Sequence, residues 1–67
     1  MLKPTEKLLR LPDVEARTGL KRSTIYARIS AGTFPRQVRF SRRFAAWTES
    51  SIDRWIADVI AQAHNGQ

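Results

Sequence analysis

Hydrogen-bond donors are concentrated in the segment LKRSTIYARI, residues 20–29. Lysine and arginine side chains donate hydrogen bonds and accept none, whereas hydroxyl groups do both. The segment offers few apolar anchors for a core. A stretch with this composition suits contact with an acceptor-rich, anionic partner on one side and a small core on the other. The donors are Lys21, Arg22, Ser23, Thr24, Tyr26 and Arg28, and the apolar anchors are Leu20, Ile25 and Ile29.

The charges of the chain are segregated along the sequence. Twelve Lys and Arg against six Asp and Glu give a net charge of +6 in 67 residues. All six acids lie outside residues 16–48, and this window holds eight cations: Arg17, Lys21, Arg22, Arg28, Arg36, Arg39, Arg42 and Arg43. Such segregation favours a positive face that meets a polyanion over an evenly basic surface. It does not choose between DNA, RNA and acidic lipid.

The length and composition exclude several classes of protein. A 67-residue chain buries only about 60% of its unfolded surface, so we expect one small domain over 1–67 with an ordered core at about 8–62. The chain has no cysteine, no apolar run of membrane-spanning length and no signal-peptide pattern at MLKPTEKLLRL. We therefore expect a soluble, cytoplasmic protein. His64, the only histidine, lies in the tail, so we expect no enzyme, metal, cofactor or small-molecule ligand.

Glycine and proline divide the first half of the chain into two short helices. The first is predicted from about Pro12 to Thr18 with Gly19 as its stop, and the second over about 22–31. Gly32 and Phe34-Pro35 prevent continuation. Two short helices joined by a glycine-containing turn form a helix-turn-helix. Before them, residues 8–11 form a brief strand or an extended lead-in, and residues 1–7 are expected to fray.

The second half of the chain changes its period. Residues 37–40 alternate polar and apolar side chains, 41–43 suit a turn, and 44–47 can return as the second strand of a hairpin. Thr48 is a predicted N-cap. The stripe of an amphipathic helix follows at Ile52, Trp55, Ile56, Val59 and Ile60. The tail, 64–67, is expected to fray. The predicted core comprises Leu11, Val14, Leu20, Phe34, Val38, Trp47, Ile52, Trp55, Ile56, Val59 and Ile60.

Four motifs in order resemble a known family. RLPDV, TGLKRSTIY, AGTFP and WTESSIDRWI resemble the AlpA-type small regulators of prophages, which are similar to excisionases and to the DNA-binding domains of MerR regulators. The resemblance covers about residues 8–61. It implies a mostly α, small winged helix-turn-helix fold: a short N-terminal strand, two helix-turn-helix helices, a β-hairpin wing and a C-terminal helix. In that family the second helix enters the major groove of duplex DNA, and the wing follows the backbone or the minor groove.

Three positions depart from the family pattern. The N-cap of the second helix is commonly serine in the family, and here it is Lys21. Ser23 then caps one turn late, or Lys21 contacts phosphate and leaves a weaker cap. The position after Pro35-Arg36 is often proline, and here it is Gln37. The wing turn often carries glycine, whereas residues 41–43 read Ser-Arg-Arg, which raises its charge and leaves its geometry open.

The candidate DNA-binding residues lie on the recognition helix, about 22–31, and on the wing, about 37–47. Arg22 is the first candidate for a base contact, with a phosphate contact or solvation as the alternative. The hydroxyls of the first turn contact DNA or cap the helix, Tyr26 meets phosphate or packs against the wing, and Arg28 meets phosphate or forms a surface ion pair. The complete set is Lys21, Arg22, Ser23, Thr24, Tyr26, Ala27, Arg28, Arg39, Arg42 and Arg43.

The resulting hypothesis is a sequence-specific double-stranded DNA-binding regulator of transcription from a mobile element. The alternatives are an excisionase-like directionality factor that bends DNA and, in a different class, a basic protein-interaction module. RNA is a weaker partner because no row of exposed aromatic residues is evident. A molecule of this size contacts one short site, so genomic specificity calls for a homodimer, a cooperative array on DNA or a partner. We expect a bacterial cytoplasmic protein that joins the nucleoid when bound.

Overall fold

The computed structural model describes residues 6–65, with side chains up to His64. Three helices and three short strands follow one another in the order predicted for a winged helix-turn-helix, which confirms the fold. The elements are β1 (Leu8–Leu9), α1 (Leu11–Thr18), α2 (Arg22–Ala31), β2 (Val38–Arg39), β3 (Ala45–Thr48) and α3 (Glu49–Asn65). None of these helices combines the length and apolar composition needed to cross a membrane.

Two glycines end the helices of the helix-turn-helix where the sequence predicts. Gly19 (φ 73°) and Gly32 (φ 79°) adopt the left-handed conformation, which a residue without Cβ reaches at little cost. The N–H of Gly19 donates to the carbonyl of Glu15 at 2.8 Å and closes the last turn of α1. The helix α2 matches its predicted bounds, and α1 begins one residue early, at Leu11.

The strands form one antiparallel sheet in the order β1-β3-β2. The predicted hairpin is the β2–β3 pair, with Val38 opposite Ala46. The open choice for residues 8–11 is resolved as a strand at Leu8–Leu9 alone, because Leu9 pairs with Trp47 and places β1 on the other edge of β3, and Leu11 already belongs to α1. Regular pairing in β2 covers only two residues, fewer than predicted. The central strand β3 contributes two buried side chains to the core, Ala46 and Trp47, and the edge strand β1 contributes Leu9.

The core is built around Trp47 and the segment that follows α2. Trp47 is almost completely buried, and its Nε1 donates to the carbonyl of Pro35 at 2.8 Å. The ring of Phe34 lies 6.5 Å from that of Trp47, edge-on, and 4.8 Å from that of Trp55. Trp55 Nε1 in turn donates to the Thr33 carbonyl at 2.9 Å. The described buried residues are Leu9, Val14, Ile25, Phe34, Ala46, Trp47 and Ile52.

Three of the predicted core residues are exposed. Val59 and Ile60 are 42% and 53% accessible, because the apolar packing of α3 ends at Ile56 and the helix continues beyond it. Val38 is 45% accessible because it lies on a two-residue strand at the sheet edge. The placement of these three in the core was wrong. The partly buried residues packed against the core are Leu11, Leu20, Ile29, Trp55 and Ile56.

The N-terminus of α3 is capped by the residue that precedes it, Thr48, and by Glu6 from the N-terminal segment. Thr48 Oγ1 accepts the Ser51 N–H at 3.3 Å, which confirms the predicted N-cap. The Glu6 carboxylate accepts from the Ser50 N–H at 3.0 Å and from Ser50 Oγ at 2.6 Å. The expected fraying of residues 6 and 7 was therefore wrong, and residues 1–5 lie outside the described residues.

The C-terminal end of α3 extends further than predicted. His64 and Asn65 are still helical, so the expectation that they fray was wrong. Residues 66–67 lie outside the described range.

Candidate nucleic-acid interface

The N-terminus of α2 has no side-chain cap. Lys21 occupies the N-cap position with extended backbone (φ −81°, ψ 159°) and makes no capping hydrogen bond. The first intrahelical bond runs from the Ile25 N–H to the Lys21 carbonyl at 2.9 Å. The sequence left open whether Ser23 caps the helix one turn late or Lys21 stands at the N-cap and leaves a weaker cap. The structure has Lys21 at the N-cap without a capping hydrogen bond, and Ser23 is an exposed residue within the helix.

The charge of this helix end is also uncompensated. No acidic residue lies in the first turn of α2, although a carboxylate there would complement the helix dipole. The N–H groups of the first turn therefore lie at a helix end where Lys21 and Arg22 are also exposed. Such an end attracts phosphate and other anions.

The outer face of α2 is free of packing. Its inner face is anchored by Ile25, which is fully buried, and by the half-buried Ile29. Thr24 is half-buried at the flank. Of the candidate residues on this helix all but Thr24 are exposed: Lys21, Arg22, Ser23, Tyr26, Ala27 and Arg28.

Arg22 and Tyr26 are neighbours on this face. The guanidinium carbon of Arg22 lies 5.8 Å from the centroid of the Tyr26 ring, within the range of a cation–π contact. Residues i and i+4 of a helix lie one above the other, so this pairing follows from their spacing. It orders the arginine in the first turn, where recognition helices present their side chains to base edges.

Arg28 faces a different part of the molecule. Its side chain lines an open groove between α2 and α3, together with Leu20, Trp55, Val59 and Ile60. It lies more than one turn along α2 from Arg22. Arg28 is therefore placed at the rim of the helix surface rather than at its N-terminal tip.

The wing carries three arginines in a closed turn. The N–H groups of Phe40 and Ser41 both donate to the Phe44 carbonyl, at 2.8 and 3.2 Å. This turn contains no glycine. No described residue other than glycine has a positive φ, so the turn closes without a left-handed conformation. Arg39 Nη1 donates to the Arg42 carbonyl at 3.1 Å, which ties one cation to the backbone of the turn. Arg42 and Arg43 are exposed.

Arg17, which the charge pattern assigned to the positive face, is neutralised. Its guanidinium donates to Asp53 Oδ1 at 2.8 Å and to the carboxylate of Glu49. Both acids come from the N-terminal part of α3, more than 30 positions away.

Arg10 is a cation that the sequence pattern missed. It precedes α1, outside the window from which the acids are absent, yet its guanidinium carbon lies 4.6 Å from the centroid of Phe44 in the wing. The sheet brings the two together because β1 pairs with β3. No spacing rule connects positions 10 and 44, so only the three-dimensional structure reveals this neighbour. Phe44, left open between core and wing, is half-buried.

Other chemistry finds no support at this surface. Within residues 6–65, no cluster of His, Cys, Asp and Glu could hold a metal ion. The exposed groups of α2 and of the wing include several cations and hydroxyls, which suit binding to an anionic polymer.

Fold and surface together define a winged helix-turn-helix protein whose exposed helix and wing are cationic. The family model described as "Prophage CP4-57 regulatory protein (AlpA)" matches residues 7–60. The chain belongs to this AlpA family of phage regulatory proteins.

Two relatives support this membership. The chain is similar to the uncharacterized protein ORF88 of Enterobacteria phage P4, with 43% identity over 61 residues that cover 91% of this chain and 69% of that protein. It is also similar to the DNA-binding transcriptional activator AlpA of Escherichia coli (strain K12), with 33% identity over 57 residues, 76% of this chain and 81% of that protein.

Proposed function

We propose that this protein is a non-enzymatic regulator that binds duplex DNA and controls transcription from a mobile element in the bacterial cytoplasm. The observation that carries the proposal is the uncapped, acid-free N-terminus of α2, where Lys21, Arg22 and Ser23 are exposed. A helix of this kind, anchored by its inner face through Ile25, can enter a major groove without losing core contacts.

The contacts divide into two kinds under this proposal. Arg22, Ser23, Thr24 and Ala27 face the base edges, because they lie in the first half of α2 or are small enough for close approach. The remaining cations and the Tyr26 hydroxyl meet phosphate: Lys21, Arg28, Arg39, Arg42 and Arg43. Phosphate contacts supply most of the affinity and set the register, and base contacts supply the sequence preference.

Selection of sites from a randomised duplex library at near-physiological salt tests the proposal. We expect a reproducibly enriched motif. Half-sites or repeats about 10 base pairs apart would further indicate that two or more copies bind together. Binding without any motif would favour the architectural, DNA-bending role instead. Absence of binding even at low salt would reject DNA as the partner and favour a basic protein-interaction module.

A further inference from the structure

Arg10 rests on an aromatic pair at the base of the wing. Its guanidinium carbon lies 4.6 Å above the ring of Phe44, and that ring packs against Phe40 at a centroid distance of 5.2 Å and an angle of 30°. Phe40 and Phe44 are also the two residues whose backbones close the wing turn, with the Phe40 N–H donating to the Phe44 carbonyl. Arg10 is thus attached to the wing although it lies 34 positions away in the sequence.

The guanidinium of Arg10 keeps its hydrogen-bonding capacity in this position. A cation–π contact does not use the N–H donors, and a guanidinium has five of them, which point outward in the plane of the group. Within the described residues the Arg10 guanidinium has no ion pair or hydrogen bond, in contrast to that of Arg17. The nearby carboxylate of Asp13 accepts from the Arg10 backbone N–H at 3.2 Å. A planar cation, oriented and unpaired, is suited to bind phosphate oxygens.

We propose that Arg10 is a DNA-backbone contact in addition to those of α2 and the wing, and that Phe44 is the residue that positions it. The inference rests on the proposed duplex binding. It extends the cationic wing from Arg39, Arg42 and Arg43 to a residue before α1, so that the phosphate-binding surface is formed by two segments distant in sequence.

The salt dependence of duplex binding distinguishes a phosphate contact from a packing role. Arg10→Met keeps a long apolar cover on the Phe44 ring and removes the charge and the donors. We expect weaker binding to all duplexes, and a slope of log affinity against log salt that is smaller by about 0.9. The ratio of wild-type to variant affinity then falls about three- to fourfold when salt rises from about 50 to about 200 mM.

Arg54→Met is the matched control. Arg54 is an exposed arginine of α3, and its replacement by methionine removes the same formal charge as Arg10→Met. This control should leave the slope at the wild-type value. An Arg10→Met slope equal to that of wild type, in a protein that still binds duplex, overturns the inference and leaves DNA binding intact. Loss of binding by the wild type itself would instead reject the proposed function.

A double-mutant comparison tests the positioning role of Phe44. Phe44→Leu should weaken binding several-fold when Arg10 is present, because the guanidinium loses its aromatic support. The same substitution in the Arg10→Met background should have little further effect on affinity. Equal losses in both backgrounds would mean that Phe44 acts on the wing as a whole, and would overturn its assignment as the positioning residue of Arg10.

Discussion

Single side chains of α2 divide their work between core and partner. Ile25 is fully buried and fixes the helix to the body of the molecule. Arg22, one turn earlier in the helix, is exposed and lies over the ring of Tyr26. The proximity of these two roles within a few residues explains why the segment contains so few apolar groups. Its three apolar anchors, Leu20, Ile25 and Ile29, pack on the core, and the exposed side chains remain available to a partner.

Arg22→Ala should alter base preference rather than affinity alone. If Arg22 pairs with a guanine through two donors, the variant loses about 1–3 kcal/mol of discrimination at one base-pair position. Competition binding with the selected site and its single-position variants measures this loss, with Arg54→Ala as the exposed-arginine control. A uniform loss on every sequence would identify Arg22 as a phosphate contact instead.

Two isoleucines of α3 should differ sharply in their contribution to stability. Ile52 is fully buried and Ile60 is 53% accessible. Ile52→Ala should lower the free energy of unfolding by about 2–5 kcal/mol, whereas Ile60→Ala should change it by about 0.5 kcal/mol or less. Urea titration followed by tryptophan fluorescence compares the two variants directly. Equal losses would show that Ile60 is packed against the core after all.

The elements differ in how their ends are stabilised. The N-terminus of α3 is capped by Thr48 and by the side chain of Glu6, so the N–H groups of Ser50 and Ser51 donate to side chains of the protein. The corresponding end of α2 has a lysine at the N-cap and no acid in the first turn. The first N–H groups of α2 therefore have no side-chain cap, at some cost to the stability of the protein, and under the proposed function they remain available to a phosphate.

Lys21→Ser should increase the stability of the protein and weaken its binding to duplex DNA. The backbone at position 21 already has extended N-cap geometry, so a serine hydroxyl can accept an N–H of the first turn. We expect a gain of about 0.5–2 kcal/mol in the free energy of unfolding, together with weaker duplex binding because a cation is lost. Thermal melting and duplex titration measure the two effects.

Thr48→Ala is the opposite control for that experiment. It should lower stability by about 1 kcal/mol and leave the affinity of the folded protein unchanged. Stronger duplex binding by Lys21→Ser would contradict the assignment of Lys21 to a phosphate.

At the scale of the whole molecule, the fold decides which cations belong to the positive surface, and these differ from the cations that are grouped in the sequence. Arg17 is neutralised by Glu49 and Asp53 of α3 and so leaves the positive face. Arg10 is brought to the wing by the pairing of β1 with β3. The positive surface is consequently composed differently from the cationic window of residues 16–48, although its centre at α2 and the wing is the same.

Arg43→Ala and Arg17→Ala remove the same charge but should differ in their effect on DNA binding. Arg43 is exposed in the wing turn, so its loss should reduce the salt slope by about 0.9. Arg17 is already paired with two carboxylates, so its loss should leave the slope unchanged and cost stability of about 1 kcal/mol or less, as expected for an exposed ion pair. A slope for Arg43→Ala equal to that of the wild type would exclude the wing from the interface.

The sequence by itself determined the three helices, both ends of α2 and the presence of the hairpin. Helical and strand periodicities, glycine stops and an N-capping threonine are local signals, because each depends on residues within a turn or two. They placed α2 correctly to the residue and identified the exposed set that begins at Lys21. The family resemblance, carried by four short motifs, rested on the same local information.

Only the tertiary structure decided where each face meets the rest of the molecule. Periodicity shows that Val59 and Ile60 share a face with Ile52. Where this face stops being buried depends on how far the core extends along α3, and the packing ends at Ile56. The neutralisation of Arg17 and the attachment of Arg10 to the wing likewise depend on contacts between residues more than 30 positions apart. Such contacts leave no periodic signal in a single sequence, because they are set by how the elements assemble.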